Sequence, residues 1–153
     1  MAVANEEAVR EDPLVGFHFM IDVQGEINGY FTEVSGLGSE SEIIEQKVTS
    51  EKGIEIVKKI PGRLKWGDIT LKRGITSNLD MWDWRKKVEE GKVNDARKNG
   101  SIVMFDQELQ EKARWNFVNG WPVKISGPTP KSDSNEISVE ELTIAHELIT
   151  RVT

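Results

Sequence analysis

Residues 59–74 read KIPGRLKWGDITLKRG. The stretch sets five basic side chains, Lys59, Arg63, Lys65, Lys72 and Arg73, into a chain whose formal charge is −6. Leu64 and Trp66 share one face of an extended segment before Gly67, and Ile69 and Leu71 share one after it, with Lys65, Thr70 and Lys72 on the other side. Period-two alternation on both sides of a glycine predicts two strand halves joined by a bulge or bend. Lys65, Lys72 and Arg73 are then expected on strand faces directed away from Leu64, Trp66, Ile69 and Leu71. A groove for single-stranded nucleic acid needs bases interleaved with exposed rings, yet the one ring here, Trp66, falls on the apolar face. The acidic balance of the whole chain also opposes phosphate binding, which leaves charged strand faces as the simpler reading.

The neighbouring stretches extend the β pattern. Upstream, Phe17, Phe19, Ile21 and Val23 alternate with His18, Met20, Asp22 and Gln24, a half-buried strand, and Asn28 and Gly29 predict a turn into YFTEVSG, with Tyr30, Thr32 and Val34 on one face. Between these and the opening stretch, SESEIIEQKVTSEKGIEIVKKIPG carries β-branched residues with charges on both faces and a turn at residues 51–53. No single buried face explains that arrangement, and residues 41–60 are expected to form a protruding hairpin or arm.

Downstream, Ser77 or Asn78 can cap a helix that holds Asp80 in its first turn, Lys86 and Lys87 in its last, and Gly91 as its stop. Its wide apolar set, Leu79, Met81, Trp82, Trp84 and Val88, predicts packing on a sheet. NGSIVMFDQ and KARWNFVNG read as two more strands around a loop near residues 107–111, with Ala113, Trp115 and Phe117 opposed to Arg114, Asn116 and Val118. Pro122 and the surface loop SGPTPKSDSNE interrupt the pattern, and EISVEELTIAHELITRV predicts a strand kinked near Glu140 and Glu141. The sum is a mainly β chain: an antiparallel barrel or sandwich with one flanking α-helix. Its organisation is a flexible N-terminal arm over residues 1–12 and a single domain over residues 13–153.

Chemistry is sparse. With no cysteine there are no disulfides or thiolate metal sites, and with two histidines, His18 and His146, each inside a strand pattern, no nucleophile is activated. His146-Glu147 lacks the second histidine of a helical zinc motif, and Gly36-Leu37-Gly38 lacks the third glycine of a dinucleotide fingerprint while Glu40 and Glu42 would repel a pyrophosphate. Asn99-Gly100-Ser101 matches a glycosylation acceptor and reads most simply as a turn. The opening MAVANEEAVREDP carries acids where a secretory segment needs bases and an apolar run, and no stretch approaches the roughly 20 apolar residues of a membrane span. No catalytic residue, metal site or cofactor is expected.

Several separated runs share a resemblance in order: DPLVGFHFMIDVQGEINGYFTEVSGLGSESE, KIPGRLKWGDITLKRGITSNLDMWDW with the pair Trp82 and Trp84, ARWNFVNGWPVKISGP, and EISVEELTIAHE. Together they resemble the tail tube protein family of contractile-tailed phages and extracellular contractile injection systems, over about residues 12–152. The resemblance implies a β-barrel related to the inner-tube protein of type VI secretion, without enzyme activity. It implies hexameric rings stacked into a hollow tube and propelled by sheath contraction. The implied partners are further copies of the chain, sheath, baseplate or hub and tube terminator proteins, and a cargo effector or phage DNA in the lumen, with no membrane insertion by the subunit. Assembly in the bacterial cytoplasm, as part of a virion tail or a phage tail-like particle, is implied as well.

On this reading, Glu42, Glu45, Lys47, Glu51, Lys52, Lys58 and Lys59 of the arm meet complementary charges on the next subunit and fix register. Lys65, Lys72 and Arg73 face the lumen, a neighbour or the sheath. Two alternatives stay open: a monomeric β-barrel binding single-stranded nucleic acid or a small ligand, and a hydrolase with paired carboxylates.

Overall fold

The computed structural model describes residues 18–128 and 138–153. The expected arm over residues 1–12, the strand positions before His18, Ile137 and most of the loop before it lie outside the described residues. In chain order the elements are β1 (His18–Val23), β2 (Ile27–Phe31), β3 (Glu33–Ser35), β4 (Ser39–Thr49), β5 (Glu55–Trp66) and β6 (Ile69–Gly74), then α1 (Asp80–Glu89) and α2 (Val93–Ala96), then β7 (Lys98–Phe105), β8 (Glu111–Ser126), β9 (Val139–Ala145) and β10 (Leu148–Arg151).

Eight strands pair antiparallel in the order β2-β1-β7-β8-β9-β6-β3, with β10 also on β8. The two ends of this path, β2 and β3, are consecutive in the chain with Thr32 alone between them. The amide and hydroxyl of Thr32 both donate to the Lys72 carbonyl, at 2.9 and 3.0 Å, which brings the end of β2 onto β6 and draws the sheet into a barrel. The mainly β fold read from the sequence is therefore present, and β4 and β5 stand outside it as a separate two-stranded sheet.

The interior follows the alternation of the strands. Ile21 and Val23 of β1, Ile27 and Phe31 of β2, Ile69 and Leu71 of β6, Ile102 of β7, Phe117 of β8, and Leu142 and Ile144 of β9 are all buried in one cluster. Phe117 is seated between two glycines. A Cβ at Gly100 or at Gly120 would stand 2.4 Å from its ring, so only glycine leaves room for the aromatic at this layer.

Helix α1 closes the cluster with Met81 and Trp84, both fully buried. The Trp84 indole donates to the Ala96 carbonyl at 2.7 Å, tying α1 to the single turn of α2, and Arg85 donates to the Pro122 carbonyl at 2.8 Å. Lys87 pairs with Glu26 in the β1–β2 turn. At the end Gly91, at φ 83°, donates to the Val88 carbonyl and stops the helix as read, whereas at the start Leu79 rather than Ser77 or Asn78 holds the cap position, without a side-chain cap, and Asn78 one residue earlier accepts from the Asp80 amide at 3.1 Å.

Four sequence expectations change. The first hairpin turns at residues 24–26, where Gly25 adopts φ 73°, while Asn28 and Gly29 lie within β2 opposite Asp22 and Ile21; of the two faces of β2, the one with Phe31 meets the core and Tyr30 is exposed. Asn99-Gly100-Ser101 is part of β7, not a turn. Pro122 does not end β8. That strand runs on through 16 residues because bulges around Asn119, at φ 52°, and at Val123 bend it, carrying it from its pairing with β10 to its pairing with β9. The C-terminal stretch breaks at His146 and Glu147, between β9 and β10, rather than at Glu140 and Glu141.

The β7–β8 loop is organised by one carboxylate. Asp106 Oδ1 accepts from the amides of Gln110 and Glu108, each at 2.9 Å, and Lys112 Nζ lies 3.5 Å from Oδ2. The Gln110 amide foremost, then the Glu108 amide and the lysine, hold this carboxyl below the ordinary carboxylate range against the opposing effect of burial. A lowered folded-state value means that its stabilisation is present at neutral pH and is lost as pH falls through that value. Asp106→Asn is expected to melt below the wild type at pH 7, and the gap in Tm is expected to narrow as pH falls below the ordinary carboxylate range; a gap independent of pH would contradict this.

Candidate functional site

The hairpin of β4 and β5 leaves the barrel at a glycine-rich root. Gly36 sits at φ 84°, and a Cβ there would lie 1.9 Å from the Asp68 carbonyl oxygen. The Gly67 amide donates to the Gly38 carbonyl at 3.0 Å, holding the two chains of the root side by side. His146 Nε2 donates to the Gly67 carbonyl at 2.9 Å, and its ring packs near those of Trp66 and Phe117. His146 is thus a strut between barrel and arm. His18 is exposed on β1.

Beyond the root, the cross-strand register decides what each face of the arm carries. Ile44 stands opposite Ile60, Gln46 opposite Lys58, and Val48 opposite Ile56, which places four aliphatic side chains and one lysine on one face. The other face pairs Ile43 with Pro61, Glu45 with Lys59, Lys47 with Val57, and Thr49 with Glu55. At the bulge below, Gly62 and Arg63 stand opposite the single Glu42. Ile43, Ile44, Ile54, Ile56, Val57, Ile60 and Leu64 are all exposed. A strand pair with aliphatic residues open to water and an outer row of unpaired N–H and C=O on each strand is a template for another chain. Its length of 11 to 12 residues per strand corresponds to a reach of about 35 Å.

The charged candidates separate into three groups. Glu42 pairs with Lys65 at 3.0 Å and Lys47 with Glu55 at 3.9 Å, both on the surface of the arm, where an ion pair contributes about 0–1 kcal/mol. Glu45 and Lys59 face one another in register, while Glu51 and Lys52 lie in the exposed turn beside Gly53 and Lys58 makes no ion pair among the described residues. Lys72 pairs with Glu33 at 3.7 Å on the outside of the barrel.

Arg73 is the correction. It shares a face of β6 with Ile69 and Leu71 and is 6% exposed. Its guanidinium reaches Asp80 Oδ1 at 2.5 Å, Glu140 Oε2 at 3.3 Å and the Asn78 carbonyl at 3.2 Å, with the Phe31 ring below it. Glu140 also accepts from the Trp82 indole at 2.9 Å. Arg73 therefore belongs to a buried ionic cluster that fastens α1 to β6 and β9, not to an outward strand face. Leu64 is corrected in the opposite direction: it is exposed on the arm rather than in the core, and Trp66 is only partly buried.

Sequence reasoning placed the function of the arm in its charges and passed over the aliphatic face. The signal was the pairing register, in which Ile44, Val48, Ile56 and Ile60 fall on one side once the turn at residues 51–53 is set. Among the described residues, no group of three or more side chains suited to hold a metal ion is present, and no helix is long and apolar enough to cross a membrane.

An antiparallel β-sheet drawn into a barrel at Thr32, with flanking helices and a free-standing hairpin, makes this a β-barrel subunit with an arm open to another chain. The chain belongs to the family of the T4-like virus tail tube protein gp19, whose profile matches residues 15–150. That family is one of structural tube proteins rather than of enzymes. Solved structures share the fold. A chain of the PVC sheath–tube complex, an extracellular contractile injection system in its extended state, superposes with a TM-score of 0.72 at 24% identity over 96% of both chains. A chain of the tube-terminating cap of the anti-feeding prophage gives 0.68 at 24% identity, over 94% of this chain and 93% of that one. Hcp1 from Flavobacterium johnsoniae gives 0.54 at 16% identity, over 88% and 94%. Comparison with curated proteins finds no match.

Proposed function

We propose that the chain is the repeating subunit of an inner tube, assembling as hexameric rings that stack into a hollow cylinder, which sheath contraction propels to deliver cargo. The observation that carries this reading is the arm: an isolated two-stranded hairpin is marginal in water, and this one exposes its aliphatic side chains and both strand edges. Completion by identical copies removes both liabilities. A contact between two different patches of the same chain closes into a ring or extends as a stack, according to its rotation.

The partners proposed follow the same reading. Structures similar to this chain include a sheath–tube complex, a tube terminator and a baseplate, and we assign sheath, terminator and baseplate or hub proteins to this chain as partners of the assembled tube. The lumen carries an effector or phage DNA, and the tube is built in the bacterial cytoplasm as part of a phage tail or a phage tail-like particle. Within the arm, Glu42, Glu45, Lys47, Glu51, Lys52, Lys58 and Lys59 set register with the neighbouring copy, since matched charges select orientation more than they add affinity. Lys65 and Lys72 face the lumen, a neighbour or the sheath.

Deleting residues 50–53, the tip of the arm, tests the reading. The wild type is expected to form rings or tubes by negative-stain electron microscopy, alone or with its baseplate initiator, and the deletion is expected to leave single subunits or isolated rings. Full-length tubes from the deleted chain would contradict the role of the arm.

A further inference from the structure

A second exposed apolar cluster lies at the start of α1. Leu79, just before the helix, is 60% exposed and Trp82 is 38% exposed, while Met81 and Trp84 on the inner side are buried completely. Leu79, Trp82 and Asp83 stand at spacings of three and four, so they form one outward stripe. Ile75 and Val139 adjoin it: the Ile75 amide donates to the Ser138 carbonyl at 3.1 Å, and Gly74 pairs with Val139. Both are exposed. Trp82 is held by its indole bond to Glu140, which makes it a pre-positioned aromatic of the kind that anchors interfaces. Asp83 is exposed and makes no ion pair among the described residues. Among the described residues, the remaining exposed large apolar side chains, Tyr30, Leu109, Leu148 and Val152, are dispersed over β2, the β7–β8 loop, β10 and the residue after it.

We propose that the aliphatic face of the arm in one copy lies on this α1 stripe in a neighbouring copy, with Lys58 meeting Asp83. The inference rests on the tube-subunit reading and names the surface that receives the arm. Each patch is apolar with an exposed charge that makes no ion pair among the described residues, Lys58 on the arm between Ile44–Ile60 and Val48–Ile56 and Asp83 on the stripe beside Leu79 and Trp82, with Lys86 one turn further along that stripe. Both patches are open in the single chain, so they do not cover one another within one copy. Pairing two different patches makes the contact heterologous, which a ring or a stack requires, whereas arm against arm would close a dimer and stop growth.

The chain has no cysteine, so an introduced pair reports the contact directly. In the full chain, Lys58→Cys with Asp83→Cys, oxidised after assembly, is expected to give a ladder of covalent oligomers on a non-reducing gel, and either substitution alone no more than a dimer. Lys58→Glu and Asp83→Lys are each expected to raise the concentration needed for assembly by about tenfold or more, and their combination to bring it back close to the wild type. Tubes of the double-cysteine chain that give no ladder, or a double charge reversal no better than the single ones, overturn the contact alone. Asp83→Lys tubes that form as readily as wild type but no longer bind sheath overturn it too, by giving the stripe to the sheath. A wild-type chain that never assembles overturns the tube reading and the contact together.

Discussion

Replacing Ile44 and Ile56 together by aspartate is expected to give a folded chain that no longer assembles. Both side chains are exposed on the same face of the arm, 54% and 42%, so the folded subunit gives up little packing, and surface changes of this kind ordinarily shift stability by less than about 0.5 kcal/mol. In an assembled tube the same positions would be covered, and each carboxylate would be buried without a partner. An unpaired polar or charged group in an interface costs several kcal/mol, and every 1.4 kcal/mol is a factor of about ten in affinity, so each joint should weaken by about 100-fold or more. Ile44→Thr with Ile56→Thr keeps β-branched side chains while adding polarity, and is expected to fall between the two. Far-UV circular dichroism and Tm check the fold, and electron microscopy checks assembly. Tubes of normal length from the aspartate variant would place the aliphatic face outside any interface.

Arg73→Ala is expected to be the most damaging single change to the fold. The arginine is the common cation of Asp80 and Glu140, and its removal leaves two largely buried carboxylates without it, one of them still bonded to Trp82. Breaking a buried pair from one side costs about 3–5 kcal/mol, a large part of the roughly 5–15 kcal/mol that holds a domain together. Urea unfolding should show the midpoint falling by a corresponding amount. Arg73→Met combined with Asp80→Asn and Glu140→Gln removes the charges together and is expected to recover most of the loss. A loss below about 1 kcal/mol for Arg73→Ala would mean that the cluster does not fasten α1 to the barrel.

Arg73 also shows where one sequence stops being legible. The period of two that placed Ile69 and Leu71 inside places Arg73 inside as well, but a charged side chain reads as exposed unless its partners are known. Those partners are Asp80, across the turn into α1, and Glu140, 67 residues away on the adjacent strand. Side-chain alternation is local, whereas charge compensation is set by which strands meet. The same limit explains the first hairpin: two turn signals lie close together, Gln24-Gly25 and Asn28-Gly29, and only the pairing of β2 with β1 and β7 decides that the first is used. Pro122 read as a stop because proline lacks an N–H, yet the bulge at Val123 next to it is one of the few places inside a sheet where that loss is tolerated.

The arm was legible as a protrusion, because charges on both faces are incompatible with a strand buried on one side. Its aliphatic face was not, since parity along β4 alone mixes Ile44 and Val48 with Glu40, Glu42 and Gln46. The face becomes visible when β5 contributes Ile56 and Ile60 from across the hairpin, with the turn at residues 51–53 setting the register. The barrel strands, by contrast, were readable one at a time, because each carries its own buried row. A surface made by two strands for a third chain leaves a weaker trace in either strand than a core does.

Sedimentation velocity across a concentration series tests the central claim most directly, that the open hairpin is completed by other copies of the same chain. The account predicts a change from the single subunit to ring-sized and larger species as concentration rises, with the Ile44→Asp, Ile56→Asp variant remaining at the subunit mass throughout. A wild-type chain that sediments as one compact subunit at every concentration, with and without its baseplate initiator, would contradict it.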